Sequence, residues 1–223
     1  MGRARASTYE EQARRLPPEA RRAQLLACAI EAVASMGLER ATHAEVARLA
    51  RVSVPTVFVY FPTREDLIAA VLRAVAQSLD DFAGATFSLS DPTSRLTALA
   101  RAFARAAEEI PDVMRVWLDW STTVRAAIWP RYLKVQERIV ANVAIAIRDA
   151  RGGPSVRKPS QQDVAVARMF VGSGHTVALM KLAGAARGDV DALIEAIVAG
   201  TLAAAGGDVN RRTTARSGSD AAT

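Results

Sequence analysis

The sequence predicts an all-α fold, and three observations carry that prediction. Apolar residues recur three and four apart in long runs, as one buried helix face requires. Proline, serine, threonine and aspartate stand where those runs begin, in the places of caps and first-turn residues. No strand-like alternation survives against these signals, and no internal repeat is evident. Half of the 223 residues (50%) are apolar, enough for a substantial core, and the formal charge is +6. That charge suits a nucleic-acid partner but is weakly diagnostic, because arginine is spread along the chain. No apolar run reaches the ~20 residues of a membrane span, and the N-terminus lacks a secretory pattern. A cytoplasmic protein without a membrane partner is therefore expected.

Residues 1–16 are polar, with Arg14 and Arg15 just before the first helix. They read either as a solubilising tail or as a flexible basic arm that reaches phosphates or a minor groove. Pro17-Pro18-Glu19 opens the first helix, with proline and an acid where a helix N-terminus favours them. Leu26, Ile30 and Val33 recur on its inner side, flanked by Leu25, Ala29 and Met36, and Gly37 caps its end. Cys28, the single cysteine, falls on that apolar side and reads as packing; alone it excludes an internal disulfide or a multi-cysteine metal site.

The stretch from Thr42 to Leu67, THAEVARLARVSVPTVFVYFPTREDL, organises the rest. Thr42 and Glu45 have capping-box spacing, and Val46, Ala47 and Ala50 share one face of a short helix. Arg51, Val52 and Ser53 interrupt the pattern. Ser53 caps a second short helix with Pro55 in its first turn, and Val57, Phe58 and Phe61 form its buried side. Pro62 stops it, and Thr63 with Asp66 caps the helix that follows. Two short helices joined by a three-residue turn are a helix-turn-helix, whose second helix can lie in the DNA major groove.

The helix from Arg64 carries Leu67, Ile68, Val71, Leu72, Val75 and Leu79 inward and is expected to end near Phe82, before a loop from Gly84 to Asp91. Pro92 opens a helix with Leu96, Leu99, Phe103 and Ala106. Asp112 caps a short one with Met114, Trp117 and Leu118. A long helix spans about Arg125 to Ala150, its start kinked at Trp129-Pro130. Beyond a basic loop, Ala-rich helices run from about Gln161 to Ala185 and Val190 to Ala205, and residues 206–223 lack periodicity and read as a disordered tail. Small residues such as Gly172 and Gly174 suit either a subunit contact or close packing within the chain. The expected organisation is an arm (1–16), a helix-turn-helix head (17–62), a helical body (63–205) and a tail.

Catalytic signatures are missing. There is no P-loop, G-x-G-x-x-G or G-x-S-x-G context. His43 and His175 have no carboxylate or cysteine at metal-ligand spacing, and the adjacent acids Asp80-Asp81 and Glu108-Glu109 point around a helix rather than converging. Neither metal nor cofactor is expected. A helical enzyme or scaffold is the rival class, distinguished by convergent polar groups in a pocket.

The run from Thr42 to Leu67 resembles the DNA-binding signature of the TetR family of transcription regulators. More narrowly, Val52 to Leu67 (VSVPTVFVYFPTREDL) and the block Val116-Trp117-Leu118-Asp119-Trp120-Ser121, with Ile128-Trp129-Pro130, are similar to the LuxR/HapR-type quorum-sensing master regulators of vibrios. The resemblance implies a three-helix DNA-binding head and a C-terminal helical domain for ligand binding and dimerisation. The implied partners are double-stranded operator DNA, a second copy of the chain and a small apolar ligand. A local repressor of an efflux or catabolic operon would share the same fold. Two departures stand out. Arg51 occupies a turn position where the family favours glycine, and Val59 replaces an asparagine in the recognition helix, so the operator sequence does not carry over.

On this reading Thr56, Tyr60, Thr63 and Arg64 face phosphates, and Ser53, Pro55 and Val59 face base edges or sugars. Thr42 and His43 complete the DNA-facing set, with a solvated first-turn residue as the alternative for His43 and a core aromatic as the alternative for Tyr60. Positions matching Leu79, Trp117, Tyr132 and Gln136 line a cavity in the vibrio regulators. Trp129, Leu133 and Val140 share the helical spacing of Gln136, and the alternative is that all seven simply fill the core. Phe170, Gly174, Val177 and Leu193 are the expected dimer contacts.

Overall fold

The computed structural model describes residues 16–124, 128–152 and 157–217. Arg14 and Arg15 lie outside them. Nine helices occur among the described residues and no strand: α1 (Pro18–Met36), α2 (His43–Ala50), α3 (Val54–Tyr60), α4 (Arg64–Phe87), α5 (Pro92–Glu109), α6 (Pro111–Thr122), α7 (Trp129–Gly152), α8 (Gln161–Leu182) and α9 (Arg187–Ser217). The all-α expectation holds.

Most boundaries follow from capping chemistry. Pro18 starts α1, and Gly37, at φ 85°, donates its N–H to Val33 O to end it. The hydroxyl of Thr42 accepts from the N–H of Glu45, that of Ser53 from Thr56, and the carboxylate of Asp91 from Ser94. Thr63 and Asp66 cap reciprocally: the N–H of Thr63 meets Asp66 Oδ2 at 3.2 Å, and the N–H of Asp66 meets Thr63 Oγ1 at 3.1 Å. Ser160 and Asp163 do the same for α8. Only half of the box expected at Thr42 forms, because the carboxylate of Glu45 turns outward to Arg48 instead.

Several boundaries move. Helix α4 runs on through Gly84 to Phe87 where a loop is expected; a Cβ added at that glycine would meet no neighbour within 4 Å, and no proline stops the helix before Pro92. Pro130 sits at the second position of α7, where it opens the helix rather than kinking it. Helix α9 continues to Ser217 rather than giving way to an aperiodic tail at 206, since no proline follows Ala205. Residues 125–127, 153–156 and 218–223 lie outside the described ones.

The chain divides into two compact units. The first reaches Ser78 and takes in Asp112–Thr123, so it holds α1, α2, α3, the first part of α4 and nearly all of α6. The boundary expected at 62/63 falls inside it. The buried stripe of α1 is Leu25, Ala29, Ala32 and Val33. The expected stripe through Leu26 and Ile30 is displaced by one position, which leaves those residues and Cys28 half-buried. Burial still pushes the Cys28 thiol up, away from the low pKa of a reactive thiolate.

The second unit holds Leu79–Pro111 and the residues from Val124 on. In it α5, α7, α8 and α9 each pack against the other three. Leu96 and Leu99 of α5, Ile139, Val143 and Ile147 of α7, Val166 and Phe170 of α8, and Ile194 and Val198 of α9 are buried at helical spacing. At one end Arg95 and Arg148 flank the buried Asp149, and Arg151 meets the buried Asp163 at 2.6 Å. No helix among the described residues is long and apolar enough to cross a membrane.

Candidate nucleic-acid interface

The turn between α2 and α3 is built as the sequence requires. Arg51 takes φ 54° and ψ 47°, the single left-handed non-glycine among the described residues. It costs on the order of 1 kcal/mol relative to glycine, and its N–H caps α2 by donating to Ala47 and Arg48 carbonyls.

Helix α3 is anchored on one side and bare on the other. Val57 and Phe61 are buried, and the guanidinium of Arg22 lies 5.4 Å over the Phe61 ring. Phe58, expected inside with them, is 46% exposed. Its ring stacks on His43 instead, 4.1 Å between centroids and 6° between planes. The buried His43 ring brings Nε2 to 2.8 Å from Phe61 O, so the imidazole donates there and ties α2 to the end of α3. That bond engages one ring nitrogen, and the buried His43 holds α3 in place rather than standing as a solvated first-turn residue.

Among the other expected DNA-facing residues, Thr42, Ser53, Pro55, Val59 and Thr63 are exposed, and Thr56 and Tyr60 are half-buried. Ser53 Oγ and Thr56 Oγ1 lie 2.8 Å apart and satisfy each other. Thr63 presents the N-terminus of α4.

Arg64 departs from expectation. Its guanidinium turns back to the α1–α2 connection, donating to Leu38 O at 2.5 Å, Glu39 O at 2.7 Å and Ala41 O at 3.3 Å. A side chain holding three carbonyls is not extended toward a phosphate. The same connection is gripped from another helix, because the N–H of Leu38 donates to Asp119 Oδ2 at 2.8 Å. The sequence offered no local sign of this pairing, whose partners stand 81 residues apart. On the α6 stretch that carries Asp119, Trp117 and Trp120 are buried edge to face, 6.0 Å between centroids. Arg48 is likewise engaged: hydrogen-bonded to Glu45 at 2.6 Å, it holds that exposed carboxyl below its usual range.

The expected ligand set does not fall in one unit. Trp117 belongs with the first, and Leu79, Trp129, Tyr132, Leu133, Gln136 and Val140 with the second. Tyr132 and Val140 are buried, and Trp129 stacks on Tyr132 at 5.0 Å. The Tyr132 hydroxyl lies 3.5 Å from Nε2 of His175, whose imidazole burial holds below its ordinary pKa. Leu79 borders a small void with Phe82, Ala83, Ala102, Phe103 and Ala106, large enough for about one water. A larger cavity of about 460 Å³ lies elsewhere in the second unit, between Arg101, Arg105, Lys181 and Arg187 with Val190 and Ile194 beneath, and none of the expected residues lines it. Among the described residues no group of three His, Cys, Asp or Glu side chains is placed to hold a metal ion.

The expected dimer contacts turn inward. Phe170 and Val177 border a small void inside the four-helix core with Leu99, Phe103 and Ile139. Gly174 lies against the Phe103 ring, where an added Cβ would be 3.8 Å away, and Leu193 is half-buried. On α8 the outward residues are instead Ala165, Arg168, Met169, Gly172, Thr176 and Leu179, with Met169 68% exposed and Leu179 55%. A helix whose faces differ this little in hydropathy gives no clear periodicity from which to choose between them.

Comparison with known proteins agrees with this architecture. Residues 25–71 match the family model for bacterial regulatory proteins of the tetR family. The chain is 33% identical over 135 residues to the HTH-type transcriptional regulator LuxR of Vibrio harveyi, a match covering 59% of this chain and 66% of that protein, just under two thirds. Among solved structures, a TetR-like transcriptional regulator from Rhodococcus sp. RHA1 aligns over 86% of this chain and all of its own (100%), at TM-score 0.72 and 19% identity. FadR from Bacillus subtilis in complex with stearoyl-CoA aligns over 81% of this chain and 97% of its own, at TM-score 0.63 and 15% identity.

Proposed function

We propose that the chain, whose residues 25–71 match the tetR family model, is a sequence-specific DNA-binding transcription regulator of that type that acts as a homodimer and answers to a small ligand. The observation that carries this reading is α3, a short helix fixed from behind by Val57, Phe61 and the His43 bond, with its outer side free to enter a major groove. Ser53, Pro55 and Val59 face base edges, and Thr42, Thr56, Tyr60 and Thr63 lie toward the backbone. Arg64 and His43 position the helix.

One head makes few base contacts, so two heads on a near-palindrome are needed for useful specificity. The second copy fits the outward face of α8, where Met169, Gly172, Thr176 and Leu179 succeed one another at helical spacing, together with the exposed small residues Ala192, Ala196, Ala199 and Gly200 of α9. The ligand belongs to the second unit, where the stearoyl-CoA held by a regulator of the same fold is a precedent for an apolar guest. Tyr132 and His175 offer it a hydroxyl and an imidazole.

Selection of bound duplexes from a randomised library, with light scattering on the purified chain, tests the reading. Enrichment of a near-palindrome by a dimer is expected. A monomeric chain that enriches no sequence would overturn it.

A further inference from the structure

The outer face of α3 carries a chemical restriction. Val54 and Phe58 form one row along the helix, and Pro55 and Val59 form the next, each pair four residues apart. All four are exposed, Val54 at 37%, Phe58 at 46% and Val59 at 76%. The whole helix, VPTVFVY, has no arginine, lysine, asparagine or glutamine, the side chains that read purines through paired hydrogen bonds. Its hydroxyls flank this face rather than occupy it: Thr56 and Tyr60 form a third, half-buried row, and the Thr56 hydroxyl is already bonded to Ser53. Two neighbouring cations are engaged elsewhere, Arg48 with Glu45 and Arg64 with three backbone carbonyls, while Arg51 stands exposed in the turn ahead of the helix and outside these four positions.

In the major groove of DNA one base-edge group is apolar, the 5-methyl of thymine. Resting on the DNA-binding reading above, we infer that this helix reads its operator by packing Val54, Pro55, Phe58 and Val59 against thymine 5-methyl groups rather than by hydrogen bonding to purines. Two consequences separate this mode from a hydrogen-bonded one. The methyl itself carries the information, so uracil, which pairs like thymine but lacks that group, is read as a wrong base. The exocyclic oxygen and amine next to the methyl go unread, so 5-methylcytosine is accepted better than cytosine.

The experiment uses the full chain and the duplex enriched from a randomised library. At each thymine within a half-site, affinity is measured by fluorescence anisotropy for thymine, uracil, cytosine and 5-methylcytosine, each opposite its pairing partner. At contacted positions thymine and 5-methylcytosine should bind alike, and uracil and cytosine more weakly by about 4-fold per methyl, with one salt dependence for all four because no phosphate contact changes. Val59→Ala, at the most exposed of the four positions, should abolish the thymine–uracil difference at one position while leaving the helical circular dichroism and the salt slope intact. Val59→Asn should replace the methyl preference there with one for adenine. A specific operator whose affinity is the same with uracil at every thymine overturns the inference and leaves the DNA-binding reading standing. Failure to enrich any duplex removes the reading itself.

Discussion

The two units use their charged and polar side chains differently. In the first, the polar contacts between separate elements hold main chain: Arg64 grips three carbonyls, Asp119 accepts the N–H of Leu38, and His43 donates to Phe61 O, while the unit's ion pairs, Arg48–Glu45 and Arg115–Asp112, stay within one helix. In the second, charged side chains mostly hold one another: Arg148 and Arg95 on Asp149, Arg151 on Asp163, Arg138 on Asp80, and Lys181 on Glu108. A bond to the backbone fixes where the chain itself runs. A pair of long side chains laces helices together while leaving their relative setting some freedom. The unit proposed to present α3 to a rigid duplex has the first kind of contact, and the unit proposed to respond to a ligand has the second.

That contrast can be broken from either side. The largest effect is expected in the second unit from Asp163→Ala, which leaves Arg151 facing a buried site and removes half of the α8 capping box. Loss of one partner of a buried pair costs about 3 kcal/mol or more, visible as a lower urea midpoint. Next comes Arg64→Ala, which frees three carbonyls and should cost roughly 2 kcal/mol. Specific DNA affinity should fall with it while the salt slope stays unchanged. A slope flatter by about one unit would return Arg64 to a phosphate. Asp119→Ala should cost about 1–2 kcal/mol by leaving one N–H unpaired, with faster hydrogen exchange at Leu38 as its local signature. Arg138→Ala, removing an exposed pair, should change stability by less than about 1 kcal/mol.

The smallest effect depends on pH. Burial lowers the pKa of His175 in the folded chain, so as pH falls the unfolded chain binds that proton first. The stability tied to this residue is therefore complete above the ordinary histidine value of about 6.5 and is lost as pH falls below it toward the folded value. His175→Gln should flatten the fall in urea midpoint between about pH 7.5 and pH 5.5. An unchanged slope would show that the imidazole is not desolvated.

What could be foreseen followed the range of the forces involved. The cap at Ser53, the proline in the first turn of α3, the reciprocal pair Thr63 and Asp66, and the left-handed Arg51 are set by neighbours three or four residues away, and the sequence displays them directly. The Phe58–His43 stack was not legible, because Phe58 and Phe61 are both compatible with the inner side of a helix of seven residues. Nor was the inward turn of Phe170 and Val177, on a helix whose two faces differ little in hydropathy. The setting of Arg64 is not legible for a related reason: an arginine at a helix start beside a helix-turn-helix has two partners in reach, and only the folded connection at Leu38–Ala41 shows the carbonyls it holds.

The return of Asp112–Thr123 to the first unit bears on how such proteins can be recombined. A head closed by one continuous segment could be exchanged between regulators at a single crossover. Here a crossover after Ser78 would carry off Leu38 and leave Asp119 behind, so a hybrid works only if the two bodies supply compatible versions of α6. The segment that carries α6 therefore has to travel with the head, and a designer transplanting it must make two cuts more than the linear map suggests.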